Sequence, residues 1–206
     1  MTRLFDTIIA HYEKHALVWE ADRRNSYWND QLWHDRFIDA LPAGAEVLDL
    51  GCGGGCPVAS HMHDRGLQVT GVDSSPTMIS LCQRRLPDHE WVLADMRKLS
   101  LGRRFQGVLA WDSFFHLDHD SQRAMFAVFA SHASSGAILM FNTGPQHGEG
   151  VGEYCGDPLY HASLAPGEYR SLLGESGFEI ADHVVEDARA GGRTVWLCRR
   201  RSSPAP

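Results

Sequence analysis

Between Val47 and Pro57 the chain reads Val-Leu-Asp-Leu-Gly-Cys-Gly-Gly-Gly-Cys-Pro, an apolar run that stops in a turn made almost wholly of glycine. Glycine adopts backbone angles closed to other residues and lets a ligand lie directly against the main chain. Pro57 stands where a helix is expected to begin, because a first helical turn has no use for the N–H that proline lacks. A buried strand, a glycine turn and a helix in this order aim free helix N–H groups at an anionic ligand group. The turn is not a phosphate-binding P-loop, since Gly55-Cys56-Pro57 lacks the required Lys and hydroxyl. It also departs from the dinucleotide pattern G-x-G-x-x-G, whose third glycine would fall on Cys56. The spacing is instead G-x-G-x-G at Gly51, Gly53 and Gly55, preceded by Asp49.

Downstream, short apolar runs alternate with amphipathic stretches. Strands are predicted at 46–50, 68–72, 90–94, 107–111, 137–142, 179–185 and 194–198, and helices at 57–65, 76–85, 121–132 and 166–176. The runs Val47–Leu50 and Val108–Trp111 are apolar on successive residues, as strands covered on both faces are. This alternation with short connections predicts an α/β fold built on a parallel sheet. Residues 1–44 read as an N-terminal helical cap, with Phe5, Ile8, Ile9 and Tyr12, then Trp33, Phe37 and Ile38, at helical spacing. The α/β domain is expected over 45–199 and a disordered tail over 200–206. Within the domain, 144–163 carries Gly144, Pro145, Gly148, Gly150 and Gly152 and reads as a substrate-side loop.

Composition narrows the function. The 206 residues hold 19 Lys and Arg against 26 Asp and Glu, a formal charge of −7, which argues against a nucleic-acid partner. The longest apolar runs fall far short of the ~20 residues a membrane helix needs, so no membrane partner is expected. No leader segment is visible, and five scattered cysteines fit reduced thiols; the protein is expected to be cytoplasmic, as a monomer or homodimer. Cys52 and Cys56 lack a second pair, and His61 and His63 point in different directions from a helix, so no metal is expected.

Two acidic residues complete the glycine signal. Asp73 ends the second predicted strand, at the distance where a carboxylate grips ribose hydroxyls, and Asp95 ends the third. In a parallel sheet these ends open on one edge, where ligands bind. With Asp49-Leu-Gly51-Cys52-Gly53-Gly-Gly55, the sequence resembles the class I S-adenosylmethionine-dependent methyltransferases, by motif over roughly 45–142 and by element order over the whole chain. The resemblance implies a Rossmann-like, seven-stranded, mostly parallel sheet with helices on both faces, the last strand antiparallel, and an N-terminal helical lid. It implies S-adenosylmethionine as cofactor and S-adenosylhomocysteine as product, with Asp49, Gly51, Cys52, Gly53 and Gly55 around the methionine part. Asp73, Ser74 and Met78 would hold the adenosine, Asp95 and Met96 the adenine, and Ala110 and Trp111 the sulfonium side. Tyr12, Trp19 and Arg24 would close over the cofactor from the lid, with Arg24 on its carboxylate.

Methyl transfer from a sulfonium is an in-line displacement, so the protein must align the acceptor and, where needed, take its proton. After the fourth strand stands Trp111-Asp112-Ser113-Phe114-Phe115-His116, not the Asn/Asp-Pro-Pro-Tyr/Phe of amino methyltransferases acting on bases. His116 is the candidate general base, or else a packed histidine capping the next helix, and Asp112 either orients an acceptor or caps the strand. Tyr154, Tyr160 and His161 are the candidate acceptor contacts, or else anchors of a folded-over loop. The leading expectation is methyl transfer to a small-molecule acceptor. The alternatives are a non-catalytic module that binds the same cofactor and, opposed by Cys56, a nucleotide-dependent oxidoreductase.

Overall fold

A computed structural model describes residues 3–202. Seven strands form one sheet: β1 (Glu46–Leu50), β2 (Gln68–Asp73), β3 (Glu90–Leu93), β4 (Phe105–Ala110), β5 (Ala133–Thr143), β8 (Phe178–Asp187) and β9 (Arg193–Arg200), in the order β3-β2-β1-β4-β5-β9-β8. β1 to β5 pair in parallel, and β9 runs antiparallel to both β5 and β8. The closing β8–β9 hairpin turns through Gly191 and Gly192, both at positive φ. This is the Rossmann-like sheet the sequence implied, its order reversing at β1 and β4.

Consecutive residues of the central strands serve opposite cores, which is why their sequences are apolar without alternation. Leu48, Val108, Leu139 and Phe141 pack with Phe114, Phe126, Phe129, Tyr169 and Trp196 on one face. That face is covered by α5 (His119–His132) and α6 (Pro166–Glu175). Val47, Leu109, Ile138 and Met140 pack on the other face with Trp33, Phe37 and Met62, from α2 (Gln31–Asp39) and α3 (Val58–Asp64). Local signals fix the helix starts. Pro166 opens α6, and Pro76 opens α4 (Pro76–Arg85), where the Ser75 hydroxyl accepts from Met78 N at 3.1 Å. Asp118 likewise caps α5 through Ser121 N at 2.8 Å.

Three boundaries differ from the sequence reading. Residues 1–44 are not one cap: α1 (Ile8–Asn25) arches over the sheet edge, whereas α2 buries Trp33 and Phe37 completely and belongs to the body. The stretch 144–163 is not a loop but a hairpin, β6 (Gly148–Tyr154) and β7 (Asp157–Ser163), paired from Gly148↔Ser163 to Tyr154↔Asp157. Its turn places Cys155 at φ 53° and Gly156 at φ 81°, the conformation that suits a two-residue hairpin. The presumed tail begins later, since Arg200 ends β9 and Arg201 N donates to Gly177 O at 2.9 Å; residues 203–206 lie outside the described residues. No helix among the described residues is long and apolar enough to cross a membrane.

Candidate active site

The carboxyl ends of β1, β2 and β3 form the floor of a cleft whose empty volume is about 720 Å³, and α1 forms its roof. Gly51, Gly53, Asp73, Ser74, Asp95 and Met96 line the floor, Met78 adds an apolar wall, and Tyr12 and Trp19 reach down from α1. Gly51 and Gly53 sit at φ 80° and 55°. A Cβ on Gly51 would stand 2.3 Å from Ser113 Cβ, whereas one on Gly53 would meet nothing within 4 Å and would project into open space. The second case is what a cradle for a ligand requires.

Asp73 organises this floor. Its two carboxylate oxygens accept from Gly53 N and Ser75 N, each at 2.9 Å, which ties the glycine turn to β2. Burial pushes its carboxyl above the ordinary range, against the pull of the backbone donors of Ser75, Gly53 and Ser74. A carboxylate oxygen can accept more than one hydrogen bond, and Asp73 lines the cleft. Asp95 is gripped by Arg97 through Nε at 2.9 Å and a terminal nitrogen at 2.6 Å, which fixes its orientation.

The cleft continues past the glycine turn into a groove lined by Asp49, Cys52, Gly54, Trp111 and Arg23. Burial, reinforced by the neighbouring Asp73, pushes the Asp49 carboxyl up to about 7. Arg23 stands here in place of the expected Arg24. One residue further along the helix, Arg24 turns outward, 53% exposed, towards Glu20 at 3.7 Å. Arg23 is held by fully buried Asp30 at 2.9 Å, and Asp30 also accepts from Trp111 Nε1 at 2.6 Å. Two other expected cofactor contacts are displaced. Ala110 is fully buried in the core beneath the sheet edge. Gly55 faces Cys82 and Trp91, so it shapes the turn without lining the cleft.

Beyond the end of β4 lies a second, more open cleft with an empty volume of about 860 Å³. Phe115, Asn142, Thr143, His161, Ser163 and Arg193 line it, together with Tyr12, Trp19, Asp112 and His116, which also line the first cleft. These four residues are the wall between the two spaces. The Tyr12 hydroxyl lies 2.6 Å from His116 Nε2, and His116 Nδ1 lies 2.8 Å from the Tyr160 carbonyl. A carbonyl only accepts, so Nδ1 carries the proton and Nε2 accepts from Tyr12. Burial pulls His116 down to about 4 and raises Tyr12, which leaves both neutral near pH 7. Asp112, at φ 50°, is clamped by Arg193 through two contacts of 2.7 Å and accepts from Asn142 Nδ2 at 2.8 Å.

Of the three expected acceptor contacts, only His161 lines this second cleft. Tyr154 instead donates to Asp22 at 2.8 Å and packs edge-on against Trp19, pinning the hairpin to α1. Tyr160 turns its ring to Phe5 and serves the site through its backbone carbonyl. Sequence reasoning missed Arg193 and Asn142, because their partner Asp112 is distant in the chain. It also missed that His11, His15 and Asp157 converge, each offering one donor atom within 4.8 Å of the others.

Comparisons with known proteins agree with this architecture. Residues 47–136 match the family model described as a methyltransferase domain. A Streptomyces fradiae dTDP-3-amino-3,6-dideoxy-alpha-D-glucopyranose N,N-dimethyltransferase is 34% identical over 101 residues, 48% of this chain and 39% of that protein. A Streptomyces venezuelae dTDP-3-amino-3,4,6-trideoxy-alpha-D-glucopyranose N,N-dimethyltransferase is 30% identical over 101 residues, 48% of this chain and 42% of that protein. The match thus spans about two fifths of each relative's length. Among solved structures, an amino pentose methyltransferase from Micromonospora echinaspora with bound SAM superposes with a TM-score of 0.70 at 22% identity, covering 89% of this chain and 96% of that one. A magnesium protoporphyrin IX methyltransferase from Synechocystis with bound SAM gives 0.73 at 19% identity, covering 97% and 98%. At these identities the structural likeness establishes the fold.

Proposed function

From a chain whose residues 47–136 match the model of a methyltransferase domain, we propose that the protein transfers a methyl group from S-adenosylmethionine to a polar small molecule bearing an amine or hydroxyl. The observation that carries this reading is the shared wall: Tyr12, Trp19, Asp112 and His116 border both clefts. A group held in the first cleft can therefore be passed to a molecule in the second without leaving the protein.

The residues suit the cofactor. Asp73 has acceptor capacity left for two vicinal hydroxyls, Met78 and Met96 offer apolar faces to a purine, and Gly53 leaves the space a sulfur-bearing chain would fill. Arg23 and the glycine turn border the groove that would take the amino-acid end. When bound, S-adenosylmethionine supplies an electrophilic methyl on a sulfonium whose leaving group is a neutral thioether. Tyr12 can accept the acceptor's proton at its oxygen while passing its own to His116 Nε2, with the Tyr160 carbonyl holding the imidazole in place. Asp112, immobilised by Arg193 and Asn142, faces both clefts and would orient the nucleophile. The amino-sugar relatives favour an amine acceptor.

Calorimetry with S-adenosylmethionine, S-adenosylhomocysteine and NAD tests the cofactor, and transfer of labelled methyl to a panel of amino sugars and hydroxylated metabolites tests the acceptor. The reading predicts binding of the first two alone, abolished by Asp73→Ala. Folded protein that ignores S-adenosylhomocysteine overturns it.

A further inference from the structure

We propose that His11, His15 and Asp157 form a binding site for a divalent transition metal of the zinc class, which would clasp α1 to the β6–β7 hairpin. His11 and His15 are four residues apart on one helix, so their rings share a face, with centroids 4.9 Å apart. Asp157 reaches them from the start of β7, with Oδ2 at 2.6 Å from His15 Nε2. One donor atom from each of the three lies within 4.8 Å of the others. Donors around a tetrahedral zinc, each about 2.0–2.2 Å from the ion, are separated by roughly 3.4 Å. Small side-chain adjustments therefore bring the three onto one ion.

A second observation concerns His11 alone. The residue is 7% exposed, and its Nε2 is buried without a hydrogen-bond partner among the described residues. A buried polar atom left unpaired is costly, and coordination of an ion through that nitrogen would remove the cost. Two imidazoles and one carboxylate suit zinc, cobalt or nickel, whereas magnesium and calcium prefer oxygen donors. Lys14 Nζ now holds the same Asp157 oxygen at 2.6 Å, but its side chain is 63% exposed and can swing into water. Replacing one lysine charge by a divalent ion strengthens the attraction at that carboxylate. Tyr154 stands edge-on to both imidazoles and shields that side.

The cluster borders neither cleft, so the ion would act on the roof and not on methyl chemistry. It would latch helix to hairpin beside the existing Tyr154–Asp22 bond. The test needs no turnover. Full-length protein stripped with a chelator is titrated with Zn2+ against a competing chelator, and with Co2+ followed by its visible absorption. One ion per chain is expected, with His15→Ala and Asp157→Asn each weakening binding by more than about 100-fold, beyond what loss of a mere outer partner costs. Asp157→Asn, at a part-exposed position, keeps the test valid should His15→Ala fold poorly. Lys14→Ala should tighten binding by removing the competitor, and His63→Ala should leave it unchanged. Absence of a one-to-one site, or affinity indifferent to both His15→Ala and Asp157→Asn, overturns the proposal.

Discussion

The hydroxyl of Tyr12 and Nε2 of His116 lie 2.6 Å apart across the seam between α1 and the end of β4, although 104 residues separate them in the chain. The contact joins the roof of the site to its floor. It also fixes the imidazole tautomer, because the Tyr160 carbonyl occupies the other ring nitrogen. If this pair relays the acceptor's proton, Tyr12→Phe and His116→Gln should each slow single-turnover methyl transfer by about 100-fold or more, the usual contribution of a placed acid or base. Affinity for S-adenosylhomocysteine should change only a few-fold. Equal losses in affinity and rate would make the pair structural.

Gly51 gives a sharper steric prediction. Alanine there would hold a left-handed backbone, at about 1–2 kcal/mol, and would drive its methyl into Ser113. Ser113 cannot simply retreat, because its hydroxyl donates to the Leu50 carbonyl at 2.7 Å. Gly51→Ala should lower the urea midpoint and abolish cofactor binding. Gly66→Ala, also at positive φ but facing nothing within 4 Å, should cost stability alone.

Asp30 is fully buried beneath the groove. Burial alone would raise its carboxyl, but His34, Arg23 and Arg193 hold it below the ordinary range. Asp30→Ala would strand the Trp111 N–H and the Arg23 guanidinium, a loss of about 3 kcal/mol by analogy with other broken buried pairs. Chemical denaturation should report that loss at neutral pH, together with weaker S-adenosylhomocysteine binding as Trp111 and Arg23 lose their common anchor.

Stability against pH combines opposing groups. His34 and His116, both held near 4 by burial, stay neutral while the unfolded chain takes up protons below 6.5, so they remove stability as pH falls. Asp49, held near 7, has the opposite sign: its folded form keeps a proton that the unfolded chain has lost above 3.8, so it adds stability as pH falls through 7. At 1.36 kcal/mol per pK unit, each side amounts to roughly 2–3 kcal/mol between pH 8 and about pH 5.5. Asp49→Asn should therefore lose roughly 2 kcal/mol more than the wild type on acidification over that range. Urea melts of both proteins at the two pH values provide the check.

The sheet was legible because its rules are local. Val47 and Leu48 betray a two-faced strand by being apolar in succession, and Pro76 and Pro166 mark helix starts. The floor of the first cleft was legible for the same reason, since Gly51, Asp73 and Asp95 each stand at or just past the end of a recognisable strand. What was hidden depends on angle or on distance along the chain. Arg23 and Arg24 differ by one step around a helix, and only the packing of α1 decides which faces the groove. β6 was hidden because glycines are poor strand formers; its pairing with β7 supplies what its composition does not. The clamp of Asp112 by Arg193 spans 81 residues, and no short-range pattern announces it.

The roof over the two clefts is assembled from pieces drawn from opposite regions of the polypeptide: α1 precedes the sheet, and the β6–β7 hairpin is inserted between β5 and α6. None of the glycine and acidic residues of the floor belongs to either piece. If the second cleft seats the acceptor, lengthening, recolouring or exchanging the hairpin would alter which molecules are admitted while the floor of the first cleft stays as it was. In such a scaffold, new acceptor tastes can evolve by editing one appendage at a time.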